Sequence, residues 1–235
     1  MQEPESGATS PSGSRVLIVN HYADAPDRPT GTRHFELARQ LVARGNTVTI
    51  FAAGFSHITG RDERLGRWRL FRTAWFDGVR FVWVRTLPYR GNTWRRKVNM
   101  LSFLAAFLVV QTRFTAPDAI IGSSVHPFAA LWAWQVARVR DARFLFEIRD
   151  LWPQTLVDLG AMRDGSPVER LLRTIEAFLV RRASFVITLL PGMSDYLRER
   201  GLPADHVVYI PNGVDIRSFD AAAPSTNGEP DSPNR

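Results

Sequence analysis

The chain has 235 residues, of which 45% are hydrophobic and 23% charged, and it carries a formal net charge of +7. That length buries a sizeable core and fits one large domain or two small ones. There is no cysteine, which excludes disulfides, thiolate metal sites and cysteine nucleophiles.

The charge is unevenly placed. Ten arginines and Lys97 lie between positions 61 and 97 against Asp62, Glu63 and Asp77, a local surplus of +8. Such a block suits an anionic partner: lipid head groups, nucleic acid or phosphorylated ligands. It equally suits a solvated surface in an arginine-rich chain, since Lys97 is the only lysine. Residues 1–14 are polar, rich in Ser, Gly and Pro, and no apolar stretch of signal-peptide length follows, so they read as a disordered tail and not as a signal peptide. Residues 220–235 read the same way. The longest apolar stretch, 100–110, is too short to span a bilayer.

Between the tails, strand and helix patterns alternate. Residues 16–19 form a short apolar run of the buried parallel-strand type. A polar loop, 21–30, leads to Gly31 and Thr32, where a helix opens with Phe35, Ala38, Leu41 and Val42 on one face. Strands are predicted at 47–52 and 79–84, a helix at 94–111, a strand at 119–121, a helix at 127–139 and a strand at 144–148. Ser166-Pro167-Val168-Glu169 is a capping box opening a helix with Leu171, Leu172, Ile175, Phe178 and Leu179 inward. A strand at 185–188, a helix at 193–200 and a strand at 207–210 complete the series. About seven strands alternating with helices predict an α/β, Rossmann-like, doubly wound and mainly parallel sheet.

Sites in such sheets lie beyond the carboxyl ends of the strands. The first loop has no G-x-G-x-x-G pattern, so nicotinamide-dinucleotide binding is disfavoured. Gly31 and Thr32 stand where a helix presents free N–H groups, a generic anion site or an ordinary cap. Ser123, Ser124 and His126 lie where a strand gives way to a helix, so two hydroxyls and an imidazole could face a ligand. Glu147-Ile148-Arg149-Asp150-Leu151-Trp152-Pro153 puts three charges at the mouth of a buried strand, a costly arrangement unless they are paired or used. Arg149 could hold a phosphate or an acceptor carboxylate, and Asp150 could accept a hydroxyl proton. The structural alternative is an ion pair of Arg149 with Asp150 or Glu147. No metal-ligand pattern is present, and no G-x-S-x-G elbow.

Taken in order, these motifs resemble family 4 of the retaining glycosyltransferases over residues 15–219. The resemblance rests on Phe35-Glu36-Leu37-Ala38-Arg39-Gln40-Leu41, Asp118-Ala119-Ile120-Ile121-Gly122-Ser123-Ser124, the Glu147–Pro153 run, and Pro191-Gly192-Met193 onward to Pro211-Asn212-Gly213-Val214-Asp215. In detail they look like the transferases, acetamido-fucose transferases included, that extend lipid-linked O-antigen or capsule sugars. The resemblance implies the N-terminal, acceptor-side half of a GT-B fold without an obligatory metal. It implies a UDP-sugar donor, a lipid-diphosphate-linked saccharide acceptor and a cytoplasmic location at the inner face of the membrane; nucleic acid is not an expected partner. The Pro-Asn-Gly-Val-Asp segment leads to the interdomain hinge in this family. The C-terminal donor-binding domain is therefore expected to lie outside this sequence, through truncation, gene splitting or excision. By resemblance Gly31 and Thr32 approach the donor diphosphate. Arg149 stands where many relatives have a catalytic histidine, Asp150 matches its acidic neighbour, and His126 lies near another site position.

Trp94, Arg95, Arg96 and Lys97 lead into a helical pattern with Met100, Leu101, Leu104, Phe107 and Leu108. This predicts an interfacial segment on an anionic membrane. The competing class of function is a non-catalytic module that binds such a membrane or an acidic partner.

Overall fold

The computed structural model describes residues 13–27, 32–66, 68–91, 94–124 and 127–213. Gly31 and His126 lie outside the described residues, as do most of both predicted tails. The chain forms strands β1 (Arg15–Val19), β2 (Thr47–Ala53), β3 (Phe55–Ser56), β4 (Arg61–Asp62), β5 (Phe71–Phe76), β6 (Val79–Val84), β7 (Ala119–Ser123), β8 (Arg143–Ile148), β9 (Phe185–Thr188) and β10 (Val207–Tyr209). The helices are α1 (Arg33–Ala43), α2 (Trp94–Val110), α3 (Pro127–Val139), α4 (Gln154–Asp158), α5 (Pro167–Arg182) and α6 (Met193–Glu199).

Eight strands make one sheet in the order β10-β9-β8-β7-β1-β2-β6-β5, parallel except where β5 pairs antiparallel to β6. Alternation along each strand sends side chains to two separate cores. Leu17 and Val19 face a large core built with α2, α3, α5 and α6, whereas Ile18 faces a smaller one closed by Phe35 and Ala38 of α1. Gly122 lets α3 approach β7 closely: a Cβ there would come within 3.0 Å of the Ala130 Cα and the Ala133 Cβ.

Most predicted elements are found within a residue or two. The eighth strand of the sheet, β5, hides in the basic block. Asp77 and Gly78, both at positive φ (45° and 77°), turn it into β6, so the short-range hairpin signal of Asp-Gly was present in the sequence. The basic block is also less free than its composition implies. Arg64 is ion-paired to Asp27 and lies 4.5 Å over the Trp83 ring; Arg80 donates to the Thr49 hydroxyl; Arg85 donates to the Arg69 and Gly66 carbonyls.

Two predicted faces are corrected. Leu171 is exposed on α5, while Leu172, Ile175 and Leu179 are buried. On α2 the apolar face packs on the sheet through Phe103, Leu104, Phe107 and Val110, because the apolar face of β2 and β6 needs a cover. Leu101 and Val109 stay exposed, as does Trp94 at the helix start. No helix among the described residues is long and apolar enough to cross a membrane. The Ser166 hydroxyl accepts from the Glu169 N–H as the capping box predicts, but the Glu169 carboxylate turns to Arg173 instead of back to the cap.

Candidate functional site

The chain runs outward from β1 through β2 to β6, then returns to lay β7 on the other side of β1. The sheet therefore switches direction between β1 and β7. Ligands in open α/β sheets bind in the crevice at the carboxyl ends of the strands beside such a switch. Asn20 leaves β1 there, Ser123 and Ser124 end β7, Glu147 nears the end of β8, and the first turn of α1 lies across them.

Glu147 is the centre of this arrangement, with its side chain 2% exposed. Its Oε1 accepts from the Arg33 Nε at 3.0 Å, and its Oε2 lies 2.6 Å from the His34 Nε2. Burial alone would push this carboxyl up. The His34 ring, the Ser123 hydroxyl and the Arg33 guanidinium outweigh burial and hold it well below the usual carboxylate range. Asn20 completes the cluster. Its Nδ2 donates to the Ser123 Oγ at 3.2 Å and faces the His34 ring, and its Oδ1 accepts from the Tyr22 N–H. Arg33 spends its remaining donors on the segment leaving β10, at the Ile210 carbonyl (2.8 Å), the Pro211 carbonyl (2.9 Å) and the Asn212 Oδ1 (3.2 Å).

The sequence-predicted residues fall into three groups. Ser123 and Ser124 are buried and spent within the protein: Ser123 on Asn20, and Ser124 accepting from the Arg149 N–H at 3.2 Å. Thr32 precedes α1 without a side-chain cap, and its carbonyl accepts from the Glu36 N–H. Arg149 and Asp150 leave β8 at the mouth of the crevice. Among the described residues neither joins an ion pair; the Arg149 Nε is buried without an acceptor, and Asp150 is exposed. The Arg149 pairing offered as a structural alternative is thus not made, because Glu147 is already held by Arg33 and His34.

Sequence reasoning missed those two partners. Their signal was their place in the first turn of the helix behind the Gly31-Thr32 loop, where side chains reach the strand ends. A second cluster was missed as well. Tyr22 packs against the His21 ring (4.4 Å) and the His57 ring (4.9 Å). With Asp24, Arg64 and Trp83 these residues line a small cavity beyond β1 and β2. The Tyr89 ring lies tilted against Phe55 at 5.0 Å, and burial, with the neighbouring Tyr22 hydroxyl, pushes its own hydroxyl up to about 12. Beside it, Gly60, Pro88, Tyr89, Arg90, Trp94 and Arg95 line a larger cavity of about 600 Å³. His57 escaped notice because the β3–β4 hairpin is only two residues a strand.

The chemistry available at the crevice is recognition of anions and hydroxyls. An exposed carboxylate, an arginine with a donor to spare and a helix start converge at one edge, next to cavities lined by aromatic and cationic side chains.

Comparison with known proteins agrees with this geometry. The family model described as a glycosyl transferase 4-like domain matches residues 30–213. A protein of Escherichia coli strain K12 assigned to colanic acid biosynthesis, the glycosyl transferase WcaI, is 26% identical over 195 residues, covering 80% of this chain and 47% of WcaI. The chain thus spans about half the length of that relative. Among solved structures, a sucrose-phosphate synthase of Thermosynechococcus elongatus superposes with a TM-score of 0.56 at 13% identity over 88% of this chain and 94% of that one. The Anabaena protein HepE, solved with UDP and glucose, superposes with a TM-score of 0.51 at 15% identity over 87% of this chain and 46% of its own. These likenesses establish the GT-B type of Rossmann-like fold.

Proposed function

The chain belongs to the glycosyl transferase 4-like family, and we propose that it is the acceptor-side domain of a retaining enzyme that builds cell-surface polysaccharide. In this reading a hexosyl or acetamido-hexosyl group moves from a nucleotide sugar to a lipid-diphosphate-linked saccharide. The involvement of WcaI in colanic acid biosynthesis supports the pathway class, and UDP in the HepE structure supports a UDP-sugar donor. The observation that carries the proposal is the juxtaposition of Arg149, Asp150 and the start of α1 at the switch-point crevice, with Glu147 beneath them neutralised by Arg33 and His34.

Each part has a role in such a transfer. Asp150 accepts the proton of the acceptor hydroxyl. The Arg149 guanidinium and the predicted helix start at Gly31 and Thr32 hold phosphate oxygens, and His126, outside the described residues, is the further candidate that the resemblance offers. Positioning and electrostatics do most of this work. The opposite wall, with the rest of the donor site, belongs to a complementary C-terminal domain, and the isolated chain is inactive without it. Trp94, Arg95, Arg96 and Lys97 rest on the anionic inner face of the membrane, with Leu101 and Val109 offering the apolar contact that the exposed side of α2 provides.

The test is reconstitution with a complementary donor-binding domain and a screen of UDP-sugars against lipid-diphosphate saccharides. Turnover only in the reconstituted enzyme, lost in Arg149→Ala and Asp150→Ala with the fold intact, supports the proposal. Turnover by the chain alone, or full activity in both variants, refutes it. Salt-sensitive co-sedimentation with phosphatidylglycerol vesicles, lost in Arg95→Glu/Arg96→Glu/Lys97→Glu, tests the membrane contact.

A further inference from the structure

Helix α5 runs back from the crevice toward the start of β9, and α6 runs back toward the start of β10. Their C-terminal ends therefore lie at the amino ends of the strands, on the side of the sheet away from the crevice. A trough of about 640 Å³ opens between them, lined by Arg173, Thr174, Ala177, Phe178, Arg181, Arg182 and Arg200. Four of the seven lining residues are arginines and none is acidic.

Among the described residues, two of the cations at the lower end of the trough, Arg181 and Arg182, have no carboxylate partner. Arg173, at the upper rim, is held by Glu169 and donates to Gln154. Arg181 and Arg182 are exposed and make no ion pair or hydrogen bond among the described residues; Arg182 only lies over the Phe178 ring at 5.5 Å. The Arg200 Nε is buried without an acceptor, while its Nη2 makes a long ion pair with the Glu176 carboxylate at 3.9 Å and its guanidinium lies over the Tyr196 ring at 5.1 Å. Glu176 itself is buried under the trough, and burial pushes its carboxyl up to about 7, so it is only a partial counter-charge near neutral pH. Arg182 also lines an adjoining cavity with Arg138, Arg143 and Asp141, so three guanidiniums against one carboxylate continue the positive surplus along the start of β8.

We propose that this trough is a second binding site, remote from the crevice, for a soluble phosphate ester carrying at least two negative charges, such as a diphosphate. Converging guanidinium forks match phosphate oxygens in pairs, and a polyanion removes their mutual repulsion. A concave trough of this size suits a small ligand. A lipid head group carries the same phosphate chemistry, and α5 itself exposes Val168 and Leu171, so the vesicle arm of the test below separates the two sources. The inference rests on α5 and α6 alone and stands apart from the glycosyltransferase reading.

Calorimetric titration with inorganic pyrophosphate at low salt tests it. The expected result is saturable binding that weakens with salt, persists in Arg149→Gln and weakens by about tenfold or more in Arg181→Gln/Arg182→Gln, the loss that charge-assisted contacts of this kind imply. Both substituted side chains are exposed, so the variant keeps the wild-type circular dichroism; single substitutions serve if it does not. Absence of saturable binding overturns the inference, as does equal binding by the double variant, or binding abolished by Arg149→Gln alone. A parallel arm uses phosphatidylglycerol vesicles. Vesicle binding lost in the double variant, with no pyrophosphate binding by the wild type, assigns the arginines to a lipid surface and overturns the soluble-ligand site.

Discussion

Replacing Glu176 by Gln should make the protein more stable above neutral pH and change little in acid. The side chain of Glu176 is 4% exposed. Burial pushes its carboxyl up to about 7 from its ordinary value of 4.5, against the opposing pull of Arg200 and the Tyr196 hydroxyl. The native state therefore holds the Glu176 proton more tightly than the unfolded chain does. Its folding is favoured most below the unfolded value, and that advantage is lost as pH rises through the folded one. The span between 4.5 and about 7 corresponds to about 3 kcal/mol of destabilisation once the group is fully ionised. Glutamine keeps the shape and a hydrogen-bond partner for Tyr196 without the titration. Urea unfolding followed by tryptophan fluorescence at pH 8 should show Glu176→Gln ahead by about 2–3 kcal/mol, with the gap shrinking below about 1 kcal/mol at pH 5. An offset that is the same at both pH values would refute the reasoning, because it would mean that Glu176 titrates normally in the folded protein.

Glu147→Gln should act in the opposite sense. It leaves Arg33 buried without its counter-charge and should cost about 3 kcal/mol at pH 7 in the same unfolding assay. The Glu147 contribution in the wild type is present above the unfolded carboxyl value and fades as pH falls below it, so the gap between the two proteins should close in acid. Gly122→Ala forces a methyl against the Ala130 backbone and should lower stability by about 1–3 kcal/mol, with no effect on pyrophosphate binding in the α5–α6 trough. Arg33→Lys replaces a fork that reaches four acceptors by a single ammonium. Hydrogen exchange at the Ile210 amide, bonded to the Thr188 carbonyl, should accelerate while the β1 amides stay protected.

The alternation of apolar runs and helix patterns made the parallel sheet legible, because burial on both faces leaves apolar runs such as 16–19 in β1 and 144–146 in β8. β5 was not legible. It is an edge strand, so it carries Arg72, Thr73 and an exposed Trp75 where a central strand would be apolar. The candidate position was readable from the rule of strand ends, and Arg149 and Asp150 leave β8 at that end of the sheet. What the sequence could not show is who neutralises Glu147. Its partners lie 113 and 114 positions away, and only the pairing order of β1, β7 and β8 brings them together. The exposed side of α2 was overestimated for a related reason. Periodicity marks an apolar face, but the direction in which that face points is set by the sheet beneath it.

Arg33 joins the first helix to the last strand across 177 positions of sequence. Until β10 is laid against β9, three acceptors of that guanidinium are missing, and the segment that would supply them has no fixed path. Those acceptors are neutral, so Glu147 alone balances the Arg33 charge while the segment after β10 satisfies its other N–H groups. A chain cut before Ile210 would retain nearly the whole sheet and the Arg33–Glu147 pair, yet would leave three guanidinium bonds to be made by water. The fixed path of the segment leaving β10 is in this way tied to the same side chain that offsets the buried carboxylate.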